Sequence, residues 1–99
     1  LDQEGFLQHL EDWSTAAATV LAENEGIVLT APHWEVLEQV RQYYQDYQSS
    51  PANRALVKYI GLQLGKDKGR SIYLMSLFPE SPAKLASKIA GLPKPDNCL

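Results

Sequence analysis

Apolar residues recur at intervals of three and four along most of this chain, the period of helices with one buried face, and each run is bounded by helix punctuation. Ala16, Ala17, Ala18, Val20 and Leu21 follow Asp12 and Ser14, either of which can accept from the open first-turn amides, and Gly26 is the stop. Thr30, with Pro32 in the first turn, opens a second helix whose stripe is Trp34, Leu37, Val40, Tyr44 and Tyr47. Ser50-Pro51 starts a third helix, with the side-chain cap at Ser50 and proline where no N–H is needed. Its buried face is Leu56, Val57, Ile60 and Leu64, and Gly65 ends it. The polar stretch 65–70 reads as a turn. Ser71 then caps a short helix containing Tyr73, Leu74, Leu77 and Phe78, halted by Pro79. Ser81-Pro82 opens the last helix, with Leu85 and Ile89 buried and Gly91 as its stop.

Five short helices with tight connections predict a mainly α (α+β) fold: a compact orthogonal bundle over residues 11–91, with no long up-and-down arrangement. Residues 1–10, with Phe6 and Leu7 near a turn at Glu4-Gly5, are the one stretch that reads as extended, a β-hairpin remnant. After Gly91 the rules change. Two prolines in Leu92-Pro93-Lys94-Pro95 forbid helix and stiffen the backbone, so residues 92–99 are expected to form a flexible, extended C-terminal arm. Its eight residues, at about 3 Å each, carry the last cysteine roughly 25 Å from the body. The whole is one domain over residues 1–99, without repeats or low-complexity tracts.

Composition narrows the function class. The formal charge of −3 conceals a split: residues 1–53 hold nine carboxylates and one arginine, whereas residues 54–99 hold eight Lys or Arg and three carboxylates. A basic C-terminal half of this kind suits an anionic partner, nucleic acid included, although ordinary solubilising charge gives the same pattern. A single cysteine excludes a disulfide-stapled secreted scaffold and fits a reducing compartment. The apolar runs are far too short to span a bilayer, and no signal peptide is visible. The chain opens on Leu1, so an N-terminal piece is expected to be missing, and cytoplasm is the expected location.

The candidate chemistry sits on that one cysteine, Cys98. A lone thiol on a protruding arm is poorly placed to fill a core, and suits thiol exchange or persulfide carriage, in which a thiolate attacks sulfur in line. Asp96 and the Leu99 carboxylate disfavour the thiolate and Lys94 favours it. The free arm is therefore a sluggish nucleophile, to be activated on a partner or beside basic residues of the body such as Arg70 or Lys88. A surface cysteine without a role is the competing reading.

Other constellations are weaker. His9 and His33 have no Cys or carboxylate at ligand spacing, so no metal is expected, and His33 reads as a surface or capping residue. Glu23, Asn24 and Glu25 read as a solvated turn, and Tyr43, Tyr44 and Tyr47 as core and rim. Gly61, Gly65 and Gly69 match no phosphate loop, so no nucleotide cofactor is expected. Arg54, Lys58, Lys66, Lys68 and Arg70 bracket two helices and a short turn, the outline of a helix-turn-helix DNA binder. Yet the would-be recognition helix, Ser71 to Phe78, carries no Arg, Asn or Gln to read bases.

Taken together, several segments resemble the DsrC/TusE family over essentially all 99 residues. They are Asp2 to Leu7, Ala22 to Gly26, His33-Trp34-Glu35-Val36, Ser50-Pro51-Ala52, Leu56-Val57-Lys58, Tyr73-Leu74, Leu77-Phe78-Pro79 and Pro82-Ala83-Lys84. The most specific is Lys88-Ile89-Ala90-Gly91-Leu92-Pro93-Lys94-Pro95 followed by the penultimate Cys98. The resemblance implies a helical domain preceded by a small hairpin, of which this chain lacks the first strand. It also implies a sulfur-relay carrier, a cofactor-free sulfurtransferase. Cys98 would accept sulfane sulfur as a persulfide from a TusBCD-like donor. It would then pass the sulfur to an MnmA-like tRNA 2-thiouridylase and its tRNA for wobble-uridine thiolation. Gly91, Leu92, Pro93, Lys94 and Pro95 would form the arm that docks it, and Arg70 and Lys88 are candidate contacts for the thiolate or RNA. DsrC proteins of dissimilatory sulfur metabolism carry a second arm cysteine eleven residues before the penultimate one; that position is Ser87 here, so an intramolecular disulfide is impossible. Two alternatives stay open: a single-cysteine DsrC-like partner of sulfite reductase or another sulfur enzyme, and a helix-turn-helix-like nucleic-acid-binding regulator.

Overall fold

A computed structural model describes residues 13–92, which form five helices: α1 (Thr15–Asn24), α2 (Ala31–Tyr47), α3 (Asn53–Leu64), α4 (Ser71–Leu77) and α5 (Pro82–Ile89). No strand occurs among the described residues, and the hairpin remnant expected over residues 1–10 lies outside them. The eight-residue α5 is the centre of the bundle and packs against each of the other four helices. Its small side chains explain how: Ala83, Ala86, Ser87 and Ala90 are fully covered and let neighbouring helices approach closely, while Ile89 fills the space between them. Around it lie Leu21, Val36, Leu37, Val40, Leu56, Ile60, Leu74 and Phe78, all at most 2% exposed. At about 1.5–3 kcal/mol for each large apolar side chain buried, these contacts are the main stabilising term. Residues 93–99 therefore follow directly on the most deeply held helix.

The helix starts show where side chains replace the missing backbone partners. Ser14 caps α1, its Oγ accepting from the Ala17 amide at 3.1 Å. At α2 the N-cap is Thr30, as its sequence predicts, but the capping partner is His33. Its Nδ1 lies 3.1 Å from the Thr30 amide nitrogen, and an amide can only donate, so Nδ1 is the acceptor and the ring proton sits on Nε2. Nε2 then donates to the Leu77 carbonyl at 2.9 Å, tying the start of α2 to the end of α4. His33 thus caps as expected, but it is buried rather than a surface residue, with its ring edge-on to Phe78.

Three further expectations need correction. The third helix begins at Asn53 with Ala52 as its N-cap, not at Ser50-Pro51; Pro51 instead is buried in the core, where its ring packs as an apolar group. Asn53 is consequently free to serve another helix, and its Oδ1 accepts from the Ala83 amide of α5 at 2.8 Å, the first-turn donor that a Ser81 side chain would have taken. At α4, Ser71 is the first helical residue and Arg70 the N-cap. Finally, Tyr47 does not complete the α2 stripe: it is 60% exposed, because the last turn of α2 overruns the core, and His33 and Val36 supply the buried face at the other end. Tyr43 bridges Tyr47 and Tyr59 with centroid distances of 4.6 and 5.2 Å, and this cover, with Asp46 accepting from the Tyr59 hydroxyl at 3.3 Å, explains why Tyr59 is buried on α3.

The turn at 65–70 folds back onto α3. A Cβ on Gly69 would stand 2.3 Å from the Gly61 Cα, so these two glycines let two backbone segments touch and have nothing to do with phosphate. Lys68 closes the same turn with an ion pair to Glu35 on α2, its Nζ 2.9 Å from Oε1.

Candidate functional site: the root of the C-terminal arm

Cys98, Lys94, Pro93 and Pro95 lie outside the described residues; Gly91 and Leu92 lie within them and define where the tether begins. A helix end leaves its last carbonyls without intrahelical partners, and at α5 every one of them is taken. The Ala90 amide donates to Ala86, the Gly91 amide to Lys88 at 3.1 Å and the Leu92 amide to Ser87 at 2.9 Å. The last two are the paired bonds of a glycine-terminated helix, made possible by the left-handed φ of +77° at Gly91. Leu92 tucks back against the bundle and is 1% exposed. The remaining two oxygens are held by side chains remote in sequence. The Trp13 indole Nε1 donates to the Ile89 carbonyl at 2.8 Å, and Arg41 Nη1 donates to the Ala90 carbonyl. The Arg41 guanidinium also lies over the Trp13 ring, 4.3 Å from its centroid, a cation–π arrangement. Burial pushes the Arg41 pKa below its ordinary value, which still leaves the group charged.

Gly91 and Leu92 are thus part of the body. Cys98 follows Leu92 by six positions, so at about 3.1–3.6 Å per residue the chain length sets an upper bound of roughly 20 Å on its distance from Leu92, shorter than the roughly 25 Å expected from the sequence. Neither Trp13 nor Arg41 emerged from the sequence reading. One signal pointed to the arginine: it is the only cation among residues 1–53.

The two basic candidates occupy different places. Arg70 is exposed, at the rim of an open groove of about 800 Å³ lined by Val57, Gly69, Ile72 and Tyr73. Lys88 is 7% exposed and its Nζ pairs with Glu25 Oε2 at 3.1 Å, so its charge is met by a carboxylate at the end of α1. Glu25 accordingly belongs to an ion pair, whereas the sequence suggested only a solvated turn. Lys88, Lys84 and Glu80 line a separate polar pocket of about 300 Å³. Among the described residues, no group of three His, Cys, Asp or Glu could hold a metal ion, and no helix is long and apolar enough to cross a membrane. The α3–turn–α4 segment has helix-turn-helix outline only. Its second helix presents Ile72 and Met75 to solvent, 84% and 46% exposed, and carries no Arg, Lys, Asn or Gln to read bases.

Ser87, where a second cysteine would stand in a two-cysteine arm, is fully buried, and its hydroxyl has no hydrogen-bond partner among the described residues. An unpaired buried hydroxyl costs about 1–3 kcal/mol. Ser87→Ala is therefore expected to raise stability by about 1 kcal/mol in urea unfolding. A loss of stability would instead assign the hydroxyl a partner in residues 1–12 or 93–99.

Comparison with known proteins gives consistent results. The family model described as "DsrC like protein" matches residues 1–99. A curated relative from Yersinia pseudotuberculosis, "Sulfurtransferase TusE", is 56% identical over 98 residues, covering 99% of this chain and 91% of the relative. "Sulfurtransferase TusE homolog" of Haemophilus influenzae is 54% identical over 98 residues, covering 99% and 90%. Among solved structures, Allochromatium vinosum DsrC superposes with a TM-score of 0.90 at 48% identity, covering all of this chain and 88% of that one. The oxidised gamma-subunit of dissimilatory sulfite reductase (DsrC) from Archaeoglobus fulgidus gives 0.84 at 39% identity, with coverage of 100% and 90%.

Proposed function

Because the chain belongs to the DsrC-like family, we propose that it is a sulfurtransferase of the relay type, carrying sulfane sulfur as a persulfide on Cys98. The observation that supports this most is the extent of the likeness: relatives named sulfurtransferases match 99% of the chain at more than 50% identity. The chemistry is self-contained. The Cys98 thiolate attacks the outer sulfur of a donor persulfide, forming Cys98–S–SH while the donor's S–S bond breaks and the donor leaves as a thiolate. Delivery repeats the exchange with an acceptor thiolate, which takes the outer sulfur and returns Cys98 as a thiolate. No net oxidation occurs in either step, so neither needs an oxidant or a reductant.

At the finer level the donor is a TusBCD-like complex and the acceptor an MnmA-like tRNA 2-thiouridylase acting in the cytoplasm. The exposed cations of the basic half, Arg54, Lys58, Lys66 and Arg70, would face the tRNA phosphates. Serine at position 87 favours this over a DsrC-like partnership with sulfite reductase, since a single thiol suffices for relay and cannot close an intramolecular disulfide. The test is cellular. Replacing the resident gene with a Cys98→Ser version is expected to abolish wobble 2-thiouridine in digested tRNA measured by mass spectrometry. Unchanged 2-thiouridine would reject the tRNA assignment and favour the DsrC-like alternative.

A further inference from the structure

We propose that Trp13 and Arg41 are positioning residues for the Cys98 thiol, clamping the two terminal carbonyls of α5 so that the tether starts at a fixed point and in a fixed direction. The inference rests on Cys98 being the sulfur carrier. A glycine-terminated helix satisfies its own carbonyls as far as the position of Lys88, and water ordinarily serves the rest. Here the Ile89 and Ala90 oxygens are instead taken by side chains 76 and 49 residues away in sequence. Ordering a tryptophan and an arginine there costs side-chain entropy, and the guanidinium gives up part of its hydration. The same indole closes over the place where Gly91 has no Cβ, with its Cδ1 only 2.5 Å from that position. Trp13 and Arg41, from two distant parts of the chain, therefore converge on Ile89, Ala90 and Gly91, immediately before Leu92. The clamp holds the point from which residues 93–99 continue.

Its consequence is quantitative. With the clamp, Cys98 stands six positions beyond Leu92. If the last turn of α5 frays, the pivot retreats to about residue 89 and the tether lengthens to about nine residues. The effective concentration of the thiol at a docked partner falls with roughly the −3/2 power of tether length, about twofold, and loss of direction adds to this. Discharge of persulfide-loaded protein to a purified tRNA thiouridylase is thus expected to slow about three- to fivefold in Arg41→Met and in Trp13→Phe. Discharge to glutathione, a small thiol that needs no positioning, is expected to stay unchanged.

Because Cys98 is the only cysteine, a nitroxide attached there can be paired with a second on Leu62→Cys, a position 74% exposed, and their distance distribution read by pulsed electron paramagnetic resonance. The distribution should broaden in both variants and narrow again in Arg41→Lys, which restores a donor and the charge. Thermal melts identify the temperature at which all variants are folded for the assay. Unaltered distributions, or broadened ones with unaltered discharge to the thiouridylase, would overturn the proposal, as would equal slowing toward glutathione. Failure of the wild-type chain to load sulfur would refute the carrier reading instead, and the label distances would then still decide whether the clamp exists.

Discussion

Gly91→Ala is expected to destabilise the fold by roughly 3 kcal/mol and lower the melting temperature by about 15 °C, whereas Gly26→Ala costs only about 1–2 kcal/mol. The two glycines end helices in the same way. Gly26 has a φ of +74° and Gly91 of +77°, and each donates its amide to the carbonyl three residues back, with the following residue bonding one carbonyl further back still. A Cβ in that left-handed conformation carries the same strain at both sites. The surroundings differ. Nothing lies within 4 Å of a Cβ built on Gly26, while one on Gly91 would meet Trp13 Cδ1 at 2.5 Å and Trp13 Cβ and Cγ at 2.9 Å. To make room the indole must move. That breaks its bond to the Ile89 carbonyl and withdraws the face on which Arg41 rests. The paired melts separate the cost of conformation from the cost of the clamp. Equal losses at the two positions would show that Trp13 gives way freely.

Most of the helical layout was legible because it rests on local rules. Ser14, Thr30, Gly26, Gly65 and Gly91 mark ends that the backbone itself requires, and the three- and four-residue spacing located the five helices, though not every buried face: Tyr47 and Val20 are exposed. The misses share a cause: they depend on partners distant in the chain. Pro51 packs into the core instead of opening a helix, and Asn53 reaches across to accept from the Ala83 amide at the start of α5. His33 is buried because the Leu77 carbonyl lies within its reach across the bundle. Lys88 looked like an available cation, yet Glu25 meets it from the end of another helix. Cys98 and the prolines at 93 and 95 could be read only as residue types, and they lie outside the described residues. The collar around the arm's root was not, since a tryptophan at position 13 and an arginine at position 41 carry no local mark of a helix terminus at position 89.

The other large effect is chemical. Cys98→Ser is expected to remove sulfur carriage completely while leaving the fold intact. A serine hydroxyl ionises far too weakly to attack a persulfide at neutral pH, and an alkoxide–sulfur adduct would have no stable counterpart to Cys98–S–SH. Position 98 is not among the core residues described above, all of which lie within residues 13–92. Intact-mass spectrometry after incubation with a persulfide donor under non-reducing conditions tests this most directly. The account predicts that the wild-type chain gains the mass of one sulfur atom, lost again on adding a reducing thiol, and that Cys98→Ser gains nothing. Equal gain by both proteins, or none by either with a donor that loads other carriers, would contradict it.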